Sequence, residues 1–394
     1  MREKTAVRLA VVTTHPIQYQ VPWFRRIAQR KELDLTVLFG SRHGLEQRPD
    51  RDFGETFAWD VPMLEGYRSE FLANAAARPS VDEFWGVQTP SMESVLTRDR
   101  FDAVLALGWH TRHFWQAFAA ADRNRIRLIL RGESNLLGPR PFWKSALRRL
   151  TLAKTLRQAS ALLAIGARNR DFYRSHGVPD SKIYDAPYFV DNDWFAEGER
   201  EREEARREIG ARPGEFIFLF SGKFIPRKRP ADLLRAWLSL PEASRESSRV
   251  IWVGSGELQG GLEDLARSAP PGKMIFTGFQ NQRAIRKFYG AADALVMPSD
   301  FGETWGLSAN EAMAAGTRVV LSDRVGAAPD LVRPGVTGEV FPCGDLAELR
   351  GILQRYVQDA RWLQRPEQRS AVRDHIAHFS MDRSTQALLA ALRS

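Results

Sequence analysis

Two carboxylates stand eight positions apart in the stretch MPSDFGETWGLSANEAMAAGTRVV, residues 297–320: Glu303 in a glycine-flanked turn, and Glu311 in an alanine-rich run that ends at Gly316. Two acids could form a hydrolase pair, or they could serve as separate hydrogen-bond acceptors. In continuous helix, eight residues separate Cα atoms by about 12 Å along the axis and about 80° around it, which does not by itself bring the carboxyls together. The more economical assignment gives each acid its own hydroxyl-bearing partner, since a carboxylate accepts two hydroxyl hydrogen bonds well, as a sugar diol requires. The plain alternative is a surface acid followed by a helix-face acid.

The elements around the pair can be read from the same stretch. ADALVMPS is a strand, the segment from about Ala309 to Ala315 is a helix, Gly316 sits where a C-terminal cap is expected, and TRVVLSD is the next strand. Residues 302–308 are then a strand-to-helix loop. Such loops lie at the carboxyl end of a parallel sheet, where glycines let backbone N–H groups approach an anion at a helix N-terminus. A phosphate is the natural guest. A second loop of the same kind lies in FLFSGKFIPRKRPADLLRAW: a strand, a turn carrying Lys223, Arg227, Lys228 and Arg229, and a helix beginning near Pro230. Its cations could clamp a diphosphate. Two further post-strand loops, VGSGELQGG and FTGFQNQ, could take a flat base on their backbone.

Short apolar strands alternate with amphipathic helices from end to end, which argues for parallel sheets covered by helices. VRLAVVT, DLTVLFG, FDAVLAL, IRLILRG and ALLAIG are strands of a first half; FIFLFSG, RVIWVG, MIFTGF, ADALVMPS and TRVVLSD are strands of a second. Between them FVDNDWFAEGEREREEARREIGARPG, with its charged middle, suits an exposed helix or connection. At 394 residues two domains are expected. The fold expected is α/β, two Rossmann-like domains with parallel sheets facing a central cleft: a first domain over 1–190, a second over 191–375, and a C-terminal amphipathic helix over 376–394. That helix, MDRSTQALLAALRS, has an N-cap at Asp382 or Ser384 and Leu388, Leu389, Ala391 and Leu392 as its apolar side.

The net charge of +9 lies wholly in the first half: 29 Lys and Arg against 20 Asp and Glu over residues 1–190, and 28 of each over 191–394. A domain of one sign attracts an anionic partner or surface. Nucleic acid is not expected, because no helix-turn-helix, zinc spacing or aromatic RNA-binding motif is present. The lone cysteine, Cys343, cannot form an intramolecular disulfide, and with no secretory leader expected the reading is cytoplasmic. No apolar run approaches the roughly 18 residues that cross a bilayer. The segment PFWKSALRRLTLAKTLRQAS mixes Phe142, Trp143, Leu147, Leu150 and Leu156 with Lys144, Arg148, Arg149, Lys154 and Arg157. It could lie on an anionic membrane at the inner face, but an ordinary core helix with its basic side in water is preferred.

From about Phe216 to Leu349 the order of SGKFIPRKRP, VGSGEL, FTGF, AADALVMPSDFGETWGLSANEAMAAGTRVVLSD and PGVTGEVFPCGD resembles family 4 of the retaining nucleotide-sugar glycosyltransferases, which adopt the GT-B fold. The resemblance implies that Glu303 contacts hydroxyls of the donor sugar and that Glu311 holds the ribose hydroxyls. Trp305, Gly306, Leu307 and Ser308 would present backbone amides to the sugar and diphosphate. Gly222 belongs to the donor loop, where Lys223 takes the family's usual arginine position and Lys228 its lysine; together these lysines would bind the diphosphate. The change from Arg to Lys keeps the charge and gives up the bidentate fork. Phe279 and Gln280 fall where the base is cradled.

The first half matches more loosely. Many members carry a Gly-Gly loop after the first strand, where this chain has TTHPIQYQVPWFRRIA, with His15, Gln18 and Tyr19 as candidates for acceptor or sugar contact beside a structural alternative. LGWHTRHFW brings His110, Arg112 and His113. LRGESNLLG brings Arg131 and Glu133 where many members have a strand-end histidine, and those two charges could equally pair with one another. The implied activity is retaining transfer of a sugar from a nucleoside diphosphate to a hydroxyl acceptor, anionic or lipid-linked in preference to a neutral metabolite. No cofactor and no metal are expected, since the Asp-Asn-Asp at 191–193 lies in the connection. A nucleotide-sugar epimerase, a phosphorylase, or a non-catalytic sugar-nucleotide-binding protein are the alternatives.

Overall fold

The computed structural model describes residues 6–45, 48–50, 55–57, 59–138, 142–359 and 366–394. Its strands, in chain order, are β1 (Val7–Thr13), β2 (Leu33–Phe39), β3 (Arg48–Asp50), β4 (Glu55–Phe57), β5 (Arg68–Phe71), β6 (Ala103–Ala106), β7 (Arg127–Leu130), β8 (Ala161–Ala164), β9 (Ile183–Asp185), β10 (Phe216–Ser221), β11 (Ser248–Val253), β12 (Met274–Phe276), β13 (Ala294–Met297), β14 (Arg318–Ser322) and β15 (Gly338–Phe341). They form a seven-stranded sheet in the order β5-β2-β1-β6-β7-β8-β9, a six-stranded sheet in the order β12-β11-β10-β13-β14-β15, and a small pair of β3 with β4. All neighbours in the two large sheets run parallel. The expected α/β class of two Rossmann-like parallel sheets is therefore what the chain adopts.

The chain divides into two compact units: residues 1–48, 57–188 and 381–394 form the first, and 49–56 with 189–380 the second. Each central strand is buried on both faces, so it is a near-continuous apolar run, as Leu9–Val12 and Ile217–Leu219 illustrate. The ten sequence-predicted strands are all present. Those not foreseen are β3, β4, β5, β9 and β15. The C-terminal helix Met381–Arg393 belongs to the first unit: Trp23 Nε1 donates to Thr385 Oγ1 at 3.0 Å, Ser384 Oγ to the Pro187 carbonyl at 2.7 Å, and Leu388 is buried.

The charged connection is helical, one of the two forms expected, and differs from expectation only in being partly buried. It forms two helices, Asn192–Arg200 and Arg202–Glu208, and is not simply exposed. Asp191 caps the first by accepting from the Trp194 N–H at 3.1 Å, which gives this acid a structural role. Arg202 and Arg206 both pair with Asp293, which is fully buried just before β13 and also accepts the Ile217 N–H at 2.8 Å. Burial alone would raise the Asp293 carboxyl; the two guanidiniums outweigh it and hold it below the ordinary range. Arg369, itself buried, pairs with Glu199 at 2.9 Å and donates to the Ala315 carbonyl at 2.7 Å. A charged run is free to leave the surface when partners from elsewhere in the chain meet it.

The segment at 142–158 is a helix, of which the side chains at 142–149 lie outside the described residues, including Phe142, Trp143 and Leu147. Leu152 and Leu156 are buried in the first core, as an ordinary core helix requires.

Candidate functional site

In a sheet that starts at its middle and grows first one way and then the other, the connections after the two central strands leave on opposite faces and open a crevice at the carboxyl edge. In the second unit that point falls between β10 and β13, which pair with Phe218 beside Ala294 and Leu219 beside Leu295. The two loops leaving it are those the sequence singles out. After β10 come Gly222 and Lys223, a single turn of 3₁₀ helix at Pro226–Lys228, and the helix Pro230–Leu238. After β13 comes the turn containing Glu303, and then the helix Leu307–Ala314.

The two loops hold each other. The Asp300 N–H donates to the Arg227 carbonyl at 2.9 Å, the Glu303 N–H to the Asp300 carbonyl at 3.1 Å, and Lys228 Nζ to Glu303 Oε2 in a half-buried ion pair. Lysine and glutamate, 75 positions apart, thus meet across the crevice. Lys223 is half-buried on the same loop.

Gly306 begins the helix with φ near 103°, a conformation that side chains rarely adopt, and a Cβ there would come within 2.9 Å of Met297 Cε. No side chain caps this helix, so the N–H groups of Leu307 and Ser308 head its axis with the dipole's positive end behind them. The Trp305 side chain is buried and donates to Asn310 Oδ1 at 2.8 Å, so only its backbone is placed for a ligand. At the other end, Gly316 has φ 79° and the N–H groups of Gly316 and Thr317 donate back to Met313 and Ala312, the expected cap.

Glu311 is in this helix and Glu303 is not, so the acids have separate environments. Glu311 Oε2 accepts from Tyr289 Oη at 2.5 Å, and Tyr289 Oη lies 2.9 Å from Ser221 Oγ at the end of β10. Part of Glu311 still meets solvent, yet burial of its carboxyl pushes it up to about 7, against the smaller opposing effect of the Tyr289 hydrogen bond. The loops after β11 and β12 complete the row. The Gly222 N–H donates to Val253, the Phe224 N–H to Ser255, and the Gly254 N–H to Gly278, at 2.8–3.0 Å. Half-buried Phe279 and Gln280 follow, with Gln280 Nε2 donating to the Thr277 carbonyl at 2.8 Å.

The first unit repeats the logic. Its order changes direction between β1 and β6, and its candidates sit in the loops that follow the strands. His15, after β1, has its ring 5.0 Å from that of His43, after β2, and is hydrogen-bonded to Thr14 Oγ1 at 2.9 Å. Burial first, then the neighbouring His43 and His110, pushes His15 down to about 3, so it is neutral at physiological pH. Among the described residues, no group of three or more His, Cys, Asp or Glu side chains is arranged to hold a metal ion.

Tyr19 lies edge-on to Tyr188 at 5.8 Å, and Tyr188 Oη donates to Glu133. The Arg131 guanidinium is buried, 5.0 Å over the Trp23 ring and 4.9 Å over that of Tyr188. Glu133 thus accepts from a tyrosine, and the Arg131 guanidinium, which also feels the Glu133 charge, lies over two rings. Gln18 is half-buried on the same turn as Tyr19. Sequence reasoning did not single out Tyr289, Tyr188 or His43. His43 could have been found, since it follows a strand; a tyrosine inside a helix or after a three-residue strand gives no such signal.

Residues 201–373 match the model of a family described as Glycosyl transferases group 1. The chain is 32% identical over 210 residues to a D-inositol 3-phosphate glycosyltransferase of Mycobacterium ulcerans, covering 52% of this chain and 43% of that protein. It is 35% identical over 233 residues to a protein of the same name from Actinosynnema mirum, covering 55% and 52%. The chain thus spans about half the length of the curated relatives it matches. Among solved structures, Anabaena Alr3699/HepE in complex with UDP superposes with a TM-score of 0.74 at 18% identity, over 98% of this chain and 99% of that one. Sucrose-phosphate synthase from Thermosynechococcus elongatus gives 0.69 at 18%, over 98% of both. At such identities these likenesses establish the fold, and they do so across both units.

Proposed function

We propose that the protein, whose residues 201–373 match the model of the family described as Glycosyl transferases group 1, is a metal-independent, retaining glycosyltransferase that moves a sugar from a nucleoside diphosphate to a hydroxyl acceptor. The observation that carries this reading is the meeting of Lys228 and Glu303 at the point where the second sheet changes direction, beside the uncapped helix at Leu307. The glycosidic C–O bond to the diphosphate breaks, and the acceptor oxygen bonds to the same face of the anomeric carbon. The acceptor proton passes to the departing phosphate oxygen. Positive charge gathers on the sugar and negative charge on the diphosphate, so fixed cations and N–H groups stabilise the transition state more than the ground state.

Lys223, Lys228 and the Leu307 and Ser308 amides are the groups proposed to do this. The ion pair gives Lys228 a second role. When a diphosphate binds, the ammonium turns to it, and Glu303 is released to accept hydroxyls of the transferred sugar. Gly222, Phe279 and Gln280 line the base end, and Glu311 takes the ribose. UDP is the first nucleotide to test, because the HepE neighbour binds it. Proton NMR of product formed from a UDP-sugar in the presence of EDTA tests the reaction: an axial donor is expected to give an axial glycoside, whereas an inverted product, or dependence on added metal, would contradict it.

Glu311 makes the nucleotide site pH-sensitive. Its carboxyl in the folded protein is raised to about 7 from an ordinary value of 4.5, so protonation favours the ligand-free fold, and that contribution fades as pH rises through 7. Ribose hydroxyls donate to the ionised form. UDP affinity is therefore expected to fall by about tenfold between pH 8 and pH 6, beyond any fall seen with Glu311→Gln, which shares the titration of the nucleotide itself. Parallel curves for the two proteins in calorimetry would remove Glu311 from the ribose.

A further inference from the structure

The first unit carries a loop, residues 80–86, that presents two aromatic rings to solvent. Trp85 is 58% exposed and Phe84 41%, while Trp23, Trp237 and Trp252 are fully buried. An exposed tryptophan on a mobile turn would collapse onto the protein to escape water, but this loop is pinned at several points. The Ser80 N–H donates to the Gly86 carbonyl at 3.1 Å, and the Gly86 N–H to Glu83 at 3.0 Å. A Cβ on Gly86 would lie 2.1 Å from the Ser80 carbonyl oxygen, so no larger residue fits there without displacing backbone. The Arg112 N–H, at the start of the helix Arg112–Arg123, donates to the Phe84 carbonyl at 2.7 Å, and the Arg112 guanidinium lies 4.9 Å from the Trp85 ring centroid. Phe84 stands perpendicular to Trp85 at 5.1 Å. The indole is braced from within its own unit and held out.

Two acids, Asp82 and Glu83, are exposed directly beside the rings. They decide between the surfaces that an exposed tryptophan could meet. An anionic bilayer would repel them, whereas aromatic faces with adjacent carboxylates suit a pyranose ring: its C–H face packs on the indole, and its hydroxyls donate to the carboxylates. The loop also adjoins the candidate acceptor residues, since His110 Nε2 lies 3.2 Å from the Val81 carbonyl oxygen.

We infer that residues 80–86 form a saccharide-binding platform, in which Trp85 stacks on a sugar ring of the acceptor while Asp82 and Glu83 accept its hydroxyls, so that the acceptor is a glycan. This rests on the transferase reading and adds the acceptor's chemical class to it. The relatives named for D-inositol 3-phosphate differ in that respect.

The test uses the full-length protein with maltotriose, cellotriose, chitotriose and mannotriose as probes, followed by saturation-transfer NMR, and with phosphatidylglycerol vesicles in co-sedimentation. At least one trisaccharide is expected to bind. Trp85→Ala should weaken it about tenfold, Trp85→Phe by no more than about threefold, and Asp82→Asn combined with Glu83→Gln by several-fold. Unchanged melting temperatures show that the variants are folded. Failure of all four saccharides to bind, equal binding by Trp85→Ala, or a Trp85→Ala defect confined to vesicles would each overturn the platform. A wild-type protein that binds a trisaccharide but not UDP would contradict the donor site instead.

Discussion

Lys228→Ala is expected to lower kcat/KM for sugar transfer at least tenfold, about 1.4 kcal/mol, with the fold preserved. The side chain ends in a half-buried ion pair with Glu303, so its removal takes the cation from the crevice and leaves a carboxylate without its partner just where a diphosphate is proposed to arrive. Both changes act against an anion. The fall should therefore be deepest in Lys228→Ala with Glu303 intact, and Lys228→Arg should recover part of the rate because it restores charge. A double-mutant cycle with Glu303→Gln reads the coupling directly. If the single variants turn over at the wild-type rate, neither residue acts on the donor.

The largest effect on stability is expected away from the crevice. Asp293→Ala leaves half-buried Arg202 and buried Arg206 without their carboxylate and removes the acceptor of the Ile217 N–H, a loss of about 3–5 kcal/mol by comparison with other broken buried pairs. Hydrogen exchange of the Ile217 amide reports on it, because that amide is bonded to the acid itself. The native carboxyl is held low, so its contribution is present above the ordinary carboxylate pKa of about 3.9 and is lost as pH falls through the folded value. A change in Ile217 protection below about 1 kcal/mol would mean that the arginines find other partners.

What could be read from sequence follows from where each residue sits in the sheets. Interior strands such as β10 and β13 are buried on both faces and must be continuously apolar, which makes them visible. The missed β5, β9 and β15 are edges of the two sheets, only three or four residues long, and β5 carries Arg68 and Glu70. An edge strand has one hydrogen-bonded neighbour and a side open to water, so its pattern loses the apolar continuity. The two candidate loops are legible as strand-to-helix connections, because in each of them glycines, and in one of them cations, follow a strand and precede a helix. Their pairing is not, because Lys228 and Glu303 meet only once β10 and β13 lie side by side.

The connection misled for the same reason. Its arginines look solvated in sequence, and the acid that buries them is some ninety positions away. Sequence offers Glu311 to a ligand without sight of Tyr289, which the helix Gln282–Ala291 brings to it. The glutamate's raised pKa comes from burial, which outweighs the Tyr289 hydrogen bond, and from no local motif.

A crystal structure of the protein with UDP is the most direct test of the central claim. The diphosphate is expected within hydrogen-bonding distance, about 3 Å, of Lys228 Nζ and of the Leu307 and Ser308 amides, with the Lys228–Glu303 contact opened. UDP bound elsewhere, with Lys228 still on Glu303, would contradict it.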